Sequence, residues 1–522
     1  MLARCRSASL HGLDARPVTV EVDLAPGLPG IQLVGLPDKA IQESRERVRS
    51  ALRNCGFRGP LVRVIVNLAP ADQRKEGPAF DLPIALALLV ASGQLDRPLL
   101  NDLWCAGELG LDGSLRPCRG VIALADCAAQ HQARALVVPP DNAAEAALIP
   151  DLPIRTAPNL RQLVEQLKGE RPYLRIARTS AKVIDHPPSE EGEDLGLATG
   201  LASKALALAA AGEHHLLLVG PPGCGKTRLA RRLPQLLPNL SHREALTITR
   251  IHSVAGQLEE ANRLLAHRPF RSPHHSCSAS ALIGGGSTPK PGELSLAHAG
   301  VLFLDELAEF PRAVLDQLRQ PLEEGTVRLS RARQSAVFPA LITLVAATNP
   351  CPCGWHGDRE HGCRCSISQR QRYWHRLSGP LLDRIDLQLR LERRSARELK
   401  SCMSQAAPCS PKPALWCSKD QINEARQRMR QRNPDRCSNR MLSAAALHRI
   451  GGFQPDALDL WEQLIRQRGL STRSGLQLLK VARTIADLSN QADVNRQVVA
   501  EASCYRCTIM YKWQNNVLLV LK

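Results

Sequence analysis

A glycine-rich loop that ends in a lysine and a threonine is the strongest chemical signal in the sequence. Residues 220–227 read Gly-Pro-Pro-Gly-Cys-Gly-Lys-Thr, between a short apolar run and a segment of helical periodicity. Glycines let a backbone fold around phosphate oxygens, and amides at a helix start point towards them. Lys226 would neutralise charge on the terminal phosphates, and the Thr227 hydroxyl would reach Mg²⁺. We therefore predict a nucleoside triphosphate site formed by Gly220, Pro221, Pro222, Gly223, Cys224, Gly225, Lys226 and Thr227.

Two later apolar runs also end in polar side chains. The run Gly300-Val-Leu-Phe-Leu ends in Asp305 and Glu306, and the run from Leu341 ends in Asn349. A strand beside the loop would deliver Asp305 to the magnesium ion and leave Glu306 to orient and activate a water molecule. Asn349 could sense the γ-phosphate. Asp305 comes 79 positions after Lys226, which exceeds one helix plus one strand, so we expect an inserted segment between them.

A group of cysteines follows Asn349 directly. Four thiols flank a nine-residue loop, at Cys351, Cys353, Cys363 and Cys365. Four thiolates can close a tetrahedral zinc site, which would brace this segment. The spacing C-x-C is less usual than C-x₂-C, so ordinary reduced thiols are the alternative. We predict a structural Zn²⁺ site here.

Composition limits the classes of protein that the chain can belong to. Its 522 residues are 44% apolar and 23% charged, which is globular and long enough for about three domains. The 68 Lys and Arg exceed the 50 Asp and Glu, giving a net charge of +18. This excess favours a polyanionic partner such as DNA, although arginine-rich solvated faces are the alternative. Aromatic residues are only 3% of the chain, so binding would use phosphates rather than stacked bases.

The chain lacks the signals of membrane insertion and export. It contains no apolar run of roughly 18 residues, so we expect no membrane span. Its first residues interleave Arg4, Arg6 and Asp14 with apolar side chains, unlike an export signal. We therefore expect a cytoplasmic protein.

Several long motifs, in this order along the chain, resemble those of the ComM/YifB family of magnesium-chelatase-like AAA+ ATPases. They are NLAPADQRKEGPAFDLPIAL (67–86), GPPGCGKT (220–227), FRSPHHSCSASALIGGGSTPKPGELSLAHAGVLFLDE (270–306), NPCPCG (349–354), LSGPLLDRIDL (377–387) and VARTIADL (481–488). The resemblance implies ATP and Mg²⁺ as cofactors and a homo-hexameric ring. It also implies ATP-driven branch migration of branched or single-stranded DNA in natural transformation and recombination.

The resemblance, with the composition along the chain, predicts an α/β fold of several parts. These are a Lon-protease-like α+β domain at 1–168, a linker at 169–194, a P-loop AAA+ core at 195–400, a second linker at 401–413, a C-terminal helical lid at 414–505 and an atypical tail at 506–522. The core would carry a helix-2 insert, a presensor hairpin and the cysteine loop.

The resemblance also assigns roles to individual residues. Asn349 is similar to sensor 1, Arg384 to an arginine finger that a neighbouring subunit presents to the γ-phosphate, and Arg473 to sensor 2. The insert at Ser272–Glu293 and the hairpin at Val327–Phe338 resemble elements that project into the ring pore. The expected DNA contacts there are Lys290, Arg328, Arg331 and Arg333.

The N-terminal domain lacks the residues that Lon-type proteolysis needs. In the Lon pattern a nucleophilic Ser follows Lys-Asp-Gly-Pro, whereas here Ala79 follows Lys75-Glu-Gly-Pro. Ile122 stands near the position of the partner lysine. Without nucleophile or base there is no route to peptide hydrolysis, so we expect a scaffold or interaction module.

Three functions remain open at the level of sequence. The first is a DNA-translocating ATPase. The second is a magnesium-chelatase-type ATPase motor that remodels a protein partner. The third is a decayed, non-catalytic DNA-binding protein, against which the intact Lys226, Asp305 and Glu306 argue.

Overall fold

A computed structural model describes most of the chain. The described residues are 2–59, 61–173, 200–258, 264–286, 289–331, 334–358, 360–393 and 417–506. Arg333, the linker predicted at 401–413 and the tail beyond Arg506 lie outside them, as does residue 174 onwards of the linker predicted at 169–194. Over the described segments, every helix is too short or too polar to traverse a lipid bilayer.

A mixed sheet organises the N-terminal part of the chain. Its strands and those of an accompanying ribbon are β1 Ala3–His11, β2 Asp14–Ala25, β3 Gly30–Val34, β4 Arg63–Ala69, β5 Leu103–Cys105, β6 Glu108–Leu109, β7 Leu115–Arg116, β8 Ala135–Val137 and β9 Ile154–Arg155. Seven of them pair in the order β3-β4-β2-β1-β5-β8-β9, and β6 pairs with β7. In β2, Val18, Val20 and Val22 are buried and alternate with partly exposed residues, so one face of the strand lies in the core.

Helices cover this N-terminal sheet. They are α1 Lys39–Asn54, α2 Asp81–Ala91, α3 Val121–Gln130, α4 Pro140–Ala146 and α5 Leu160–Leu167, with 3₁₀ turns at Pro78–Phe80 and Arg97–Leu100. The Asp38 side chain caps α1 by accepting a hydrogen bond from the amide of Ile41 at 2.8 Å. Helix α2 is buried over its whole length, and its Asp81 accepts a hydrogen bond from Arg47 Nε at 2.6 Å. That pairing compensates the cost of a buried carboxylate.

A five-stranded parallel sheet forms the centre of the second half. The strands are β10 Leu216–Val219, β11 Phe270–Arg271, β14 Val301–Leu304, β17 Thr343–Thr348 and β18 Leu387–Arg390, in the order β11-β14-β17-β10-β18. All residues of β10, β14 and β17 are buried. Parallel strands covered on both faces are continuous apolar runs rather than alternating ones, which is the pattern of these segments. Strand β10, which precedes the glycine loop, lies between β17 and β18.

Short elements surround this parallel sheet. They are α6 Leu201–Gly212, α7 Lys226–Leu236, α8 His242–Ala255, α9 Ala279–Ile283, β12 Gly284–Gly285, β13 Lys290–Pro291, α10 Glu293–Leu296, a 3₁₀ turn Leu307–Glu309, α11 Arg312–Asp316, α12 Arg319–Glu324, β15 Thr326–Arg331, β16 Gln334–Pro339, α13 Ile367–His375 and α14 Gly379–Leu382. In the sequence, the segment from β11 to α10 lies between α7 and β14. Strands β15 and β16 form an antiparallel hairpin.

Helices close the C-terminal part of the described chain. They are α15 Lys419–Arg432, α16 Ala444–Ile450, α17 Pro455–Arg468, α18 Thr472–Leu488 and α19 Arg496–Cys504, with 3₁₀ turns at Pro434–Arg436 and Asn439–Met441. Asp487 of α18 is buried and accepts hydrogen bonds from Arg432, Arg483 and Asn439 at 2.5–3.0 Å. The structure thus confirms a mixed α/β chain with a parallel-sheet core and C-terminal helices.

Candidate nucleotide site

The glycine loop leaves the end of β10 and leads directly into α7. Gly223 and Gly225 have φ values of +76° and +88°, in the left-handed region that glycine tolerates best. A Cβ at Gly220 would lie 2.7 Å from Cys224 Sγ and 2.8 Å from the carbonyl oxygen of Leu391, so only glycine fits there. These positions give the loop its tight turn, and α7 begins at Lys226 with its amides facing the loop.

The loop and a neighbouring strand end hold the Lys226 ammonium in place. Its Nζ donates hydrogen bonds to the carbonyl oxygens of Gly220 at 2.7 Å and Pro221 at 3.0 Å. It also donates to Asn349 Oδ1 at 3.1 Å. Burial lowers the pKa of Lys226, and the adjacent thiol of Cys224 and the carboxylates of Asp305 and Glu306 oppose that shift. The cation is therefore held where three acceptors converge.

The carboxylates predicted to act beside the loop lie at the end of β14. Thr227 Oγ1 donates a hydrogen bond to Asp305 Oδ2 at 3.0 Å. Asp305 Oδ1 in turn accepts the backbone amide of Glu306 at 3.0 Å. Glu306 has a φ of +52°, which is uncommon for a residue with a side chain. Of the two carboxylates, it is Asp305 that accepts the hydrogen bond of the Thr227 hydroxyl.

A histidine that the sequence did not single out contacts Glu306. His275 Nδ1 lies 3.2 Å from Glu306 Oε2, and the two side chains are 35% and 54% exposed. His275 follows β11 at the start of the predicted insert, and its ring lies edge-on to Phe310, with centroids 6.4 Å apart. The pair of histidines at 274–275 gave no signal of this contact, because the contact depends on how the insert folds back over β14.

Asn349 follows β17, the strand between β14 and β10. Pairing of Val219 with Thr348 and of Leu304 with Ala346 brings the carboxyl ends of all three strands to one edge. The Thr348 hydroxyl lies 3.0 Å from the Tyr373 hydroxyl of α13, which ties this strand end to the next helix. The predicted sensor and the lysine are therefore within hydrogen-bonding distance of each other.

Arg384 and Arg473 converge on one acidic residue away from these contacts. Arg384 Nη2 lies 2.8 Å from Glu323 Oε1, and Arg473 forms an ion pair with the same oxygen. Arg384 also donates to the carbonyl oxygens of Arg319 and Pro380, at 3.0 and 2.7 Å. Sequence reasoning did not identify Glu323, which lies near the end of α12.

The insert and the hairpin lie side by side. They line a shared cavity of about 720 Å³, with Ser278, Ser280, Arg328 and Ser330 among its lining residues. Arg328 is 67% exposed and forms an ion pair with Glu324 at 3.2 Å. Lys290 is exposed on β13, and Arg331 ends β15. The predicted basic positions at 290 and 328 thus belong to neighbouring elements.

The four cysteines after Asn349 come together in space. The sulfur atoms of Cys351, Cys353, Cys363 and Cys365 all lie within 4.8 Å of one another. The cluster is adjacent to the glycine loop at 220–227, because Gly354 packs against Pro222.

The donors at the loop fit a magnesium–triphosphate group. A hydroxyl and a carboxylate 3.0 Å apart, from Thr227 and Asp305, are the hard oxygen ligands that Mg²⁺ prefers. Backbone amides at the start of the eleven-residue α7, together with Lys226, suit phosphate oxygens. When bound, the metal would neutralise charge on the phosphates.

Comparison with known proteins assigns the chain to a family. Residues 197–399 match the family model "Magnesium chelatase, subunit ChlI", residues 20–142 match "Subunit ChlI of Mg-chelatase", and residues 417–506 match "Magnesium chelatase, subunit ChlI C-terminal". Over 498 residues the chain is 42% identical to the uncharacterized protein YifB of Escherichia coli K12, covering 95% of each chain. It is 42% identical over 523 residues to the competence protein ComM of Haemophilus influenzae, covering 97% of this chain and 98% of that one.

These matches span nearly the whole chain, including the loop, both carboxylates and the C-terminal helices. They support an ATPase that uses ATP and Mg²⁺. The chain belongs to the ComM/YifB family of magnesium-chelatase-like AAA+ proteins.

Proposed function

We propose that this protein is an ATP-driven motor that acts on DNA, working as a homo-hexameric ring that migrates branched DNA during natural transformation or recombination. One observation carries the proposal. The insert that brings His275 to Glu306 also carries the exposed Lys290, and it lies against the hairpin that carries Arg328. Lys290 shares the insert with His275, and Arg328 lies on the hairpin beside it, so DNA phosphates bound at these residues would be coupled to Glu306 through the insert.

The proposed chemistry gives each side chain of the candidate site one role. Lys226 binds the terminal phosphates, and Glu306 orients the attacking water and accepts its proton. Asn349, which contacts Lys226, positions the γ-phosphate. Arg384 of a neighbouring subunit would supply the positive charge that the transition state requires, and Arg473 would act as sensor 2.

The DNA-facing elements are better assigned to the insert and hairpin than to the arginine-rich C-terminal helices. Three of the seven arginines between residues 421 and 450 hydrogen-bond to parts of the protomer outside that segment. Arg426 donates to the carbonyl oxygen of Ala210, Arg432 pairs with Asp487, and Arg440 donates to the carbonyl oxygen of Leu322. Such arginines stabilise the fold and contribute less to an external phosphate surface.

The N-terminal domain serves as a scaffold in this proposal. We propose that this domain resembles a Lon protease domain that has lost its activity. In that likeness Ala79 stands where the Lon nucleophile is expected and Ile122, which is buried within α3, stands near the expected position of the Lon base. Neither side chain can attack a peptide bond.

The competence name of the Haemophilus relative supports the link to DNA uptake and recombination. The direct test is ATP hydrolysis by the full chain with and without a four-way DNA junction, followed by fluorescence of labelled strands. We expect the junction to stimulate hydrolysis and ATP to drive strand exchange. A chain that hydrolyses ATP at the same rate with and without DNA and moves no strands would contradict the proposal.

A second arm of this experiment addresses the contact residues. If binding uses phosphate contacts, the logarithm of the DNA affinity should fall linearly with the logarithm of the salt concentration. The double variant Lys290→Ala plus Arg328→Ala should reduce that slope by about one per lost phosphate contact. Arg466→Ala is the matched control, because Arg466 lies on α17 and pairs with Glu462. An unchanged slope in the double variant would exclude the insert and hairpin as the DNA contact.

The description of all three matching family models favours a second candidate, a magnesium-chelatase-type motor that remodels a protein partner. In that case protein rather than DNA would stimulate hydrolysis. The DNA experiment therefore separates the two candidates. A chain with no ATPase activity at all would instead favour a non-catalytic DNA-binding protein.

A further inference from the structure

The four clustered cysteines have the geometry of a tetrahedral metal site. Cys351 Sγ lies 3.3 Å from Cys353 Sγ and 3.7 Å from Cys363 Sγ, and Cys353 Sγ lies 3.7 Å from Cys363 Sγ. Four sulfurs bound tetrahedrally at about 2.3 Å from one zinc ion lie about 3.8 Å apart. A disulfide would need sulfurs about 2.05 Å apart, and all four residues are free thiols. The spacing thus fits four sulfurs around one ion.

The histidines of the same loop are occupied by other contacts. Arg370 Nη1 lies 2.7 Å from His356 Nδ1 and 3.0 Å from its Nε2. His361 Nδ1 lies 3.3 Å from Asp358, and the His361 ring stacks on Trp355 with centroids 4.3 Å apart. Sulfur atoms alone therefore form the ligand set, which leaves no position for a catalytic water.

Four thiolates around a divalent ion carry a net negative charge, and the surrounding side chains are suited to balance it. Arg364 lies between Cys363 and Cys365 in the sequence. Arg390 donates to the carbonyl oxygen of Gly357 at 2.9 Å, and Arg370 contacts His356 in the same loop. Cationic neighbours of this kind stabilise a metal–thiolate centre.

The cysteine loop lies directly against the phosphate-binding loop. Gly354, with a φ of +85°, approaches Pro222 so closely that a Cβ would lie 2.7 Å from Pro222 Cδ. The Gly354 amide donates to the carbonyl oxygen of Cys351 at 2.9 Å. On the other side, Trp374 Nε1 donates to the carbonyl oxygen of Pro350 at 3.1 Å. The cysteines thus begin two residues after Asn349 and surround the point where this segment contacts the nucleotide loop.

We infer that Cys351, Cys353, Cys363 and Cys365 bind one structural Zn²⁺ ion, which holds Gly354 against Pro222 and fixes the strand end that carries Asn349. The ion has no role in the chemistry of hydrolysis. Zinc binding by these cysteines does not depend on whether the protein acts on DNA.

The first test is the metal content of the full-length wild-type chain. Elemental analysis after purification in a chelating buffer should give about one zinc per chain. X-ray absorption should show four sulfur neighbours at about 2.3 Å. Folded protein with less than about 0.2 zinc per chain, or with iron in its place, would overturn the assignment. This measurement needs no variant, so misfolding of a mutant cannot obscure it.

The second test asks whether the ion braces the nucleotide loop. Cys353→Ser plus Cys363→Ser should lose the zinc and bind a fluorescent ATP analogue more weakly. Cys504→Ser is the control, because Cys504 is exposed on α19 and outside the cluster. A second check starts from folded wild-type protein: prolonged dialysis against 1,10-phenanthroline should remove zinc, and nucleotide affinity, measured with Mg²⁺ after the chelator is removed, should fall in parallel. Release of zinc with unchanged nucleotide affinity would overturn the bracing role.

Discussion

At the scale of single residues, the candidate site brings side chains from separate strand ends to one lysine. Lys226 begins α7, Asn349 follows β17, and Asp305 and Glu306 follow β14. Since the three strands are parallel and adjacent, their polar ends share one edge of the sheet. Each residue has a different partner, which predicts different consequences of removing each one.

Lys226 and Glu306 should differ in which step they affect. Lys226→Ala removes the ammonium that the loop holds, so we expect nucleotide binding to weaken strongly. Glu306→Gln retains the phosphate contacts but cannot accept a proton. We expect it to bind ATP and to lower kcat by about 10²- to 10⁴-fold. Fluorescent-nucleotide titration and phosphate release measure the two steps separately.

Matched controls for this pair lie on the surface. Lys419→Ala removes a lysine that contacts Asn239, and Glu462→Gln changes an acid on α17. Both should retain wild-type binding and turnover. Hydrolysis by Glu306→Gln at the wild-type rate would show that the site is wrongly assigned.

At the scale of elements, local pattern predicted much of the structure. The continuous apolar runs before Gly220, Asp305 and Asn349 predicted β10, β14 and β17, because strands buried on both faces have that composition. The segment of helical periodicity after the glycine loop forms α7, Lys226–Leu236. These features depend on neighbours in the sequence, so the sequence alone reveals them.

Contacts between distant elements were not predictable in this way. His275 meets Glu306 only because the insert folds back over β14, and Glu323 joins Arg384 to Arg473 only through three-dimensional packing. Neither pair has a sequence spacing that distinguishes it from surface charge. The resemblance to the ComM/YifB family predicted roles for Arg384 and Arg473, but it did not predict that both pair with Glu323.

The insert should regulate hydrolysis through His275. In the structure this side chain occupies one oxygen of Glu306, which must be available to orient water. His275→Ala should therefore raise hydrolysis in the absence of DNA severalfold and reduce the stimulation by a DNA junction. His448→Ala is the control, since His448 is exposed on the C-terminal helix α16. Equal stimulation by DNA in His275→Ala and the wild type would exclude this coupling.

At the scale of the whole molecule, side chains of the N-terminal domain contact α8, the helix that precedes the insert in the sequence. Arg250 of α8 donates to Asp14 Oδ1 at 2.8 Å and to the carbonyl oxygen of Leu13 at 3.1 Å. Ser253 of the same helix donates to Glu145 of α4, which is buried. The N-terminal domain therefore supports α8, whose His252 contacts the carbonyl oxygen of Leu296 at 3.1 Å. A scaffold role of the N-terminal domain would act through these contacts with α8.

A ring with shared active sites makes a sharp prediction about mixtures of inactive subunits. The Arg384→Ala subunit has an intact glycine loop but lacks the arginine finger. The Lys226→Ala subunit has the arginine finger but binds nucleotide poorly. If Arg384 acts on a neighbour, an equal mixture should regain about one quarter of the wild-type sites, because each active site needs one subunit of each kind in order. Mixing Lys226→Ala with Glu306→Gln is the control, since no arrangement of those two gives an intact site. The measurement is phosphate release after subunit exchange, with exchange verified by differently tagged chains. Failure to regain activity above the control in exchanged rings would contradict a finger that acts between subunits.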